Sequence, residues 1–132
     1  MFLTGHVNEQ NINVETLHKP KLEKSTPAGV KADPFSIFDV LDETDKKGES
    51  FVATVHMHPW EGIENVQSSS VDYNTQSEYE QVGYSVVGIV FSKDGHFRFY
   101  TYKQPFDVKI KIYGDLVELI NKKKSVFKLS LI

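Results

Sequence analysis

The chain predicts an α+β fold, α/β/α-like, in which a mixed β-sheet is flanked by helices. Three observations carry this reading. Short apolar or alternating runs recur along the whole length at strand spacing. Two stretches, residues 34–45 and 68–81, instead place their apolar or capping residues at helical spacing. The resulting order β-β-α-β-α-β-β-β mixes the two kinds of element within one run of chain, with no internal repeat. The length of 132 residues fits a single domain. A domain of that size buries roughly two-thirds of its unfolded surface, enough for a core without staples.

The elements follow in order. Residues 1–7 (MFLTGHV) read as a short strand, and the polar stretch 8–11 as a turn. Ile12, Val14 and Leu17 then suggest a second strand, paired with the first as a hairpin. Residues 19–34, punctuated by Pro20, Pro27, Gly29 and Pro34, read as a long loop or irregular extension. Phe35, Ile37, Phe38, Val40 and Leu41 recur at helical spacings, which predicts a helix over 34–45. Residues 51–58 (FVATVHMH) are β-rich and stop at Pro59, which has no N–H to give to a ladder. A loop over 60–67 leads to a helix over 68–81, with Ser69 as N-cap and Asp72 at capping-box spacing. Residues 84–91 form a buried strand, and residues 92–96 a turn containing the Asp94-Gly95 hairpin signal. Residues 97–103 alternate Phe97, Phe99 and Thr101 against Arg98, Tyr100 and Tyr102, as a half-buried strand does. Val108, Ile110 and Ile112 make another strand, stopped by Gly114. Residues 115–124 read either as a short helix or as two strand pieces around Asn121, and 126–132 as a terminal strand.

Composition excludes several function classes. Lys plus Arg number 15 against 18 Asp plus Glu, a net charge of −3, which argues against a generally basic nucleic-acid binder. Cysteine is absent, which excludes a disulfide framework, a thiolate zinc site and a cysteine nucleophile together. A metal must then be held by His, Asp and Glu. The longest nearly apolar run, residues 82–91, is too short to cross a bilayer and contains Gly83, Tyr84, Ser85 and Gly88. No charged-then-apolar signal segment opens the sequence. The expectation is a soluble cytoplasmic protein without membrane or nucleic-acid partners.

One constellation stands out. Residues 56–59 read His-Met-His-Pro, and residues 69–72 read Ser-Ser-Val-Asp. On a strand, positions i and i+2 share a face, so His56 and His58 present two imidazoles side by side. Two neutral imidazoles and one carboxylate form a catalytic zinc set whose fourth position is left to water. Asp72 would deliver the carboxylate from the first turn of the following helix, and a Ser69 hydroxyl beside it would donate to an oxyanion. The plainer alternatives are a chance histidine pair on a structural strand, and a helix cap that needs no metal.

These residues resemble the JAMM, or MPN-plus, zinc metalloprotease motif H-x-H-P … S-x-x-D. Tyr73-Asn74-Thr75-Gln76 continues the likeness into the helix of the deubiquitinase branch. The resemblance implies a JAB/MPN domain, cytidine-deaminase-like, over residues 1–132. It implies Zn2+ held by His56, His58 and Asp72, and Ser69 as the catalytic oxyanion-stabilising residue. The implied reaction is hydrolysis of an isopeptide or peptide bond to ubiquitin or a ubiquitin-like protein.

The sequence departs from the pattern in two places. Ten residues separate His58 from Ser69, more than the family spacing, so an insertion beside the site is expected to alter substrate access. The family's catalytic Glu stands upstream of a glycine ending the first strand. If Gly5 is that glycine, the Glu falls before Met1, and the sequence would lack its N-terminal helix and the segment carrying that Glu. Glu9 and Glu15 are the nearest substitutes; Glu9 falls in a turn, and no motif supports either. An active isopeptidase and a catalytically dead binding or scaffold module for ubiquitin-like proteins are therefore both open. His6, His18 and His96 are not at ligand spacing with the pair. Lys122, Lys123 and Lys124 read as a solvated turn. Trp60 either contacts substrate or packs over the site loop.

Overall fold

The computed structural model describes residues 1–8, 11–26, 29–104, 117–121 and 125–129. These residues form nine strands, two α-helices and one 3-10 turn, an α+β fold. The chain divides into two compact units, Met1–Thr54 and Val55–Ile132.

In the first unit, β1 (Phe2–Asn8) pairs antiparallel with β2 (Asn11–His18), the expected hairpin. The region expected as a loop instead contains a second antiparallel hairpin, β3 (Leu22–Thr26) with β4 (Gly29–Ala32). The punctuating residues mark element boundaries: Pro20 precedes β3, Gly29 opens β4, and Pro34 opens α1 (Pro34–Lys46). Proline suits the first helical turn because its missing N–H would have no intrahelical partner there. Strand β5 (Ser50–Met57) pairs antiparallel with β1, giving a local order β2-β1-β5.

A polar cluster joins β1, β2 and the residue before β5. The Thr4 hydroxyl donates to Glu49 Oε2 at 2.5 Å and so accepts from His18 Nε2 at 2.8 Å. Thr16 donates to the other oxygen of Glu49 at 2.9 Å, and Glu43 stands 3.8 Å from His18 Nδ1. His18 and Thr4 are both buried.

The second unit begins within β5 and holds the 3-10 turn (Ile63–Val66), α2 (Ser70–Gln81), β6 (Val87–Phe91), β7 (His96–Tyr100), β8 (Val117–Asn121) and β9 (Val126–Leu129). Antiparallel pairing gives the local order β6-β7-β9-β8. The Asp94-Gly95 turn closes β6 onto β7 as the sequence predicts, with Gly95 at φ 92°. The His58 N–H donates to the Phe91 carbonyl at 2.7 Å, which sets the end of β5 beside the end of β6. Register puts Gly88, Val90, Arg98, Tyr100 and Val126 on one face, and Phe91, Phe97, Phe99 and Phe127 on the other. Val90, Tyr100, Val126 and Val66 form the core of the first face, with Tyr73 of α2 packed against them. Stacked rings of Phe91, Phe97 and Phe127 fill the second.

Two strands are shorter than the sequence predicts, each because backbone donors go elsewhere. β6 starts at Val87 because Tyr84 N–H still closes the end of α2 on Tyr79 O, after Gly83 at φ 91°. β7 stops at Tyr100 because the N–H groups of Tyr102, Lys103 and Gln104 all point at the Glu80 carboxylate. Of the two readings open for 115–124, a strand is present over Val117–Asn121. The strand expected at Val108, Ile110 and Ile112, the Lys122–Lys124 run and residues 130–132 lie outside the described residues. Among the described residues, no helix is long and apolar enough to cross a membrane.

Thr4→Val removes the acceptor of a buried His18 N–H, at a cost of about 1–3 kcal/mol in urea unfolding at neutral pH. The Thr4 hydrogen bond, the leading cause, also holds the Glu49 carboxyl below its ordinary value. A depressed carboxylate stabilises above its unfolded pKa and loses that contribution as pH falls through its folded one. The gap between wild type and Thr4→Val is therefore expected to narrow below about pH 4.

Candidate metal centre

Alternation along β5 and its continuation turns His56 and His58 to the same side, as the sequence predicts. Their rings lie 5.1 Å apart at the centroids, and their Nε2 atoms are 3.3 Å apart. Helix α2 brings the third member. Its capping box is complete: Ser69 Oγ accepts from Asp72 N–H at 3.2 Å, and Asp72 Oδ2 accepts from Ser69 N–H at 2.7 Å. That locks the Asp72 carboxylate over the helix start. Asp72 Oδ1 then sits 3.0 Å from His56 Nε2, and Oδ2 sits 3.4 Å from His58 Nε2. Among the described residues this is one group of His and carboxylate ligands close enough to hold a metal ion.

Hydrogen bonding fixes the protons. His58 Nδ1 lies 2.7 Å from the Asn65 carbonyl. A carbonyl only accepts, so Nδ1 carries the hydrogen and Nε2 of the neutral ring carries a lone pair. That lone pair faces a carboxylate oxygen, also a pure acceptor, at 3.4 Å. Two acceptors face to face repel unless a proton or a cation stands between them. His56 Nε2–H relieves part of this by reaching Asp72 at 3.0 Å and His58 at 3.3 Å. A metal would displace that hydrogen and satisfy all three atoms. Ligands at 2.0–2.2 Å from a tetrahedral zinc stand about 3.3 Å from one another. His56 Nε2 stands 3.3 Å from His58 Nε2 and 3.0 Å from Asp72 Oδ1, while His58 Nε2 stands 3.4 Å from the other oxygen, Oδ2; one ligand atom from each residue lies within 4.8 Å of the others.

Electrostatics agree with an anionic Asp72. Burial pushes its carboxyl up, but hydrogen bonds from His56 and from the Ser69 N–H outweigh this and hold it at about 2.

Three contributors were not legible as site residues in the sequence. The Asn65 carbonyl comes from the loop between β5 and α2. Tyr100 forms the buried floor: its ring meets His56 edge-on at 6.5 Å and Tyr73 at 5.8 Å. Its hydroxyl is pushed up, first by burial and then by the Asp72 charge, so it stays protonated. Gly88 stands opposite Tyr100 across the β6–β7 ladder, and a Cβ there would run into the Tyr100 ring. Only the hybrid of strand register and distant packing reveals these roles.

The other histidines have partners of their own: His6 pairs with Glu15, His18 with Thr4, and His96 with Asp94. Glu15 is thus held at an exposed position on β2, and Glu9 lies outside the described residues. Trp60 is exposed, with 56% of its surface accessible.

Gly88→Ala is expected to displace Tyr100 and tilt His56, costing about 1–3 kcal/mol of stability and weakening metal binding, as calorimetry and chelator competition would show. Asp72→Asn keeps an oxygen for the cap but removes the charge. It should lower zinc affinity more than tenfold while melting closer to wild type than Asp72→Ala does. No family model matches the chain, and no curated protein matches it.

Proposed function

We propose that this chain is a zinc-dependent metallopeptidase of the JAMM type, acting on an isopeptide or peptide bond to ubiquitin or a ubiquitin-like protein in the cytoplasm. The observation that carries this is the convergence of His56 Nε2, His58 Nε2 and the Asp72 carboxylate within 4.8 Å of one another, with Ser69 beside them. Zinc held by these residues would polarise a carbonyl and make water acidic enough to attack near neutral pH.

The chain's own groups would do the rest. His58 gives its Nδ1–H to the Asn65 carbonyl, which turns Nε2 toward Asp72 and His56. Ser69 Oγ spends an acceptor lone pair on Asp72 N–H and keeps its proton to donate to a developing oxyanion. Ser69 is exposed, so a substrate carbonyl can reach it. Trp60 and Met57, exposed and adjacent in sequence to the ligands, offer apolar surface to an extended substrate tail.

A second reading has its own support. Within the cluster Asp72 is the one carboxylate, and it is engaged as cap and ligand. A general base contributes roughly 10²–10⁴-fold to such a reaction. Without one, the fold would serve as a zinc-containing module that captures ubiquitin-like proteins.

Metal analysis of the purified protein is expected to show near-stoichiometric zinc, lost in His58→Ala; a zinc-free wild type overturns both readings. Cleavage of a di-ubiquitin panel then separates them. Ser69→Ala should lower kcat by roughly 10²–10³-fold with zinc retained, and cost about 1 kcal/mol as a lost N-cap. Zinc binding with capture of ubiquitin and no cleavage selects the module.

A further inference from the structure

We infer that the Asp94 carboxylate, in the turn between β6 and β7, is a positioning residue for the metal centre, because it holds the loop whose carbonyl decides which nitrogen of His58 carries the proton. This rests on the metal-binding reading above.

The connection runs through residues 60–67, in the loop between β5 and α2. Their backbone is fastened to the β6–β7 turn at two points: Gly62 N–H donates to Asp94 Oδ1 at 3.0 Å, and Lys93 N–H donates to the Trp60 carbonyl at 2.9 Å. Gly62 has φ 101°, a conformation that side chains other than glycine's adopt only under strain. From that anchor the 3-10 turn starts. Asn65 N–H donates to the Gly62 carbonyl at 3.1 Å, and the Asn65 side chain reaches Glu61 O at 2.5 Å. Both contacts leave the Asn65 carbonyl aimed at His58 Nδ1. Val66, almost fully buried, ends the turn in the core.

Asp94 is itself well held. Ser92 Oγ donates to Oδ1 at 2.5 Å, and His96 Nδ1 lies 3.1 Å from Oδ2. These partners, the Ser92 hydroxyl first and the Gly62 N–H next, keep its carboxyl far below the ordinary range. The acceptor for Gly62 is therefore charged throughout the working pH range, and charge-assisted bonds are the stronger kind. Without it the 3-10 turn loses its fixed start. The His58 ring is then free to move its proton to Nε2, where it would occupy the position a metal needs. Partners beyond the ligands commonly set metal affinity by 10–100-fold.

The test uses the full chain in two forms. In the metal-free protein, imidazole ¹⁵N NMR should show His58 as the Nδ1–H tautomer in wild type and as a mixture in Asp94→Ala. Chelator competition should show zinc affinity lowered 10–100-fold in Asp94→Ala and largely restored in Asp94→Asn, which keeps an oxygen for Gly62. Glu80→Gln, which loosens a different loop, should change neither readout. If Asp94→Ala fails to fold, Gly62→Ala disturbs the same anchor from the other side and should shift the tautomer in the same direction. A wild-type tautomer and an affinity within twofold of wild type in the folded variant overturn the inference. A wild type that binds no zinc yet shows Nδ1–H on His58 overturns the metal reading alone, since the tautomer is read without metal.

Discussion

A peptide carbonyl can accept a hydrogen bond and can never donate one. At Asn65 that asymmetry puts a hydrogen on Nδ1 of His58 and turns Nε2 inward. With Nδ1 committed, the remaining lone pair has to face inward, against the Asp72 carboxylate and the neighbouring imidazole. Two imidazole nitrogens and a carboxylate gathered this way place a demand for a proton or a cation between them. Nothing about His56 and His58 as residues creates this demand; a backbone oxygen in the adjacent loop does.

The fold supplies rigidity where that demand arises. α2 is fixed at its start by the capping box and in its middle by the Gln76 amide on the Val86 carbonyl at 2.8 Å. Beneath the centre, one face of the β6–β7 ladder is built around Tyr100, and glycine at position 88 leaves space for its ring. The ring supports His56 from below while Tyr73 closes its far side. Each ligand is thus backed by a different element. Ordering the group costs little at the moment of binding, because folding has already restricted the side chains.

How much of this the sequence disclosed depended on the range of the interactions. The cap at Ser69 and Asp72, the turn at Asp94-Gly95 and the shared face of His56 and His58 are local, and their spacing is sufficient to read them. The β3–β4 hairpin was obscured because prolines and glycines at element borders look the same as those inside a loop. Tyr84 and Tyr102 look like strand residues, yet their amides are claimed by Tyr79 and Glu80, which no periodicity reveals. The roles of Gly88, Tyr100, Asn65 and Asp94 depend on residues brought together from separate elements. Asn65 acts through its main chain, so its side-chain identity carries no signal at all.

The double duty of Asp72 has a consequence for how such chains change over time. The same carboxylate that reaches the imidazoles also closes the first turn of α2 on Ser69. Whatever the group holds, discarding either residue would fray that helix, so both would persist as architecture. The two imidazoles cap no helix; they are held by the Asn65 carbonyl on His58 and the Tyr100 ring against His56. A Ser-x-x-Asp standing without the imidazoles would therefore report helix formation and say nothing about chemistry.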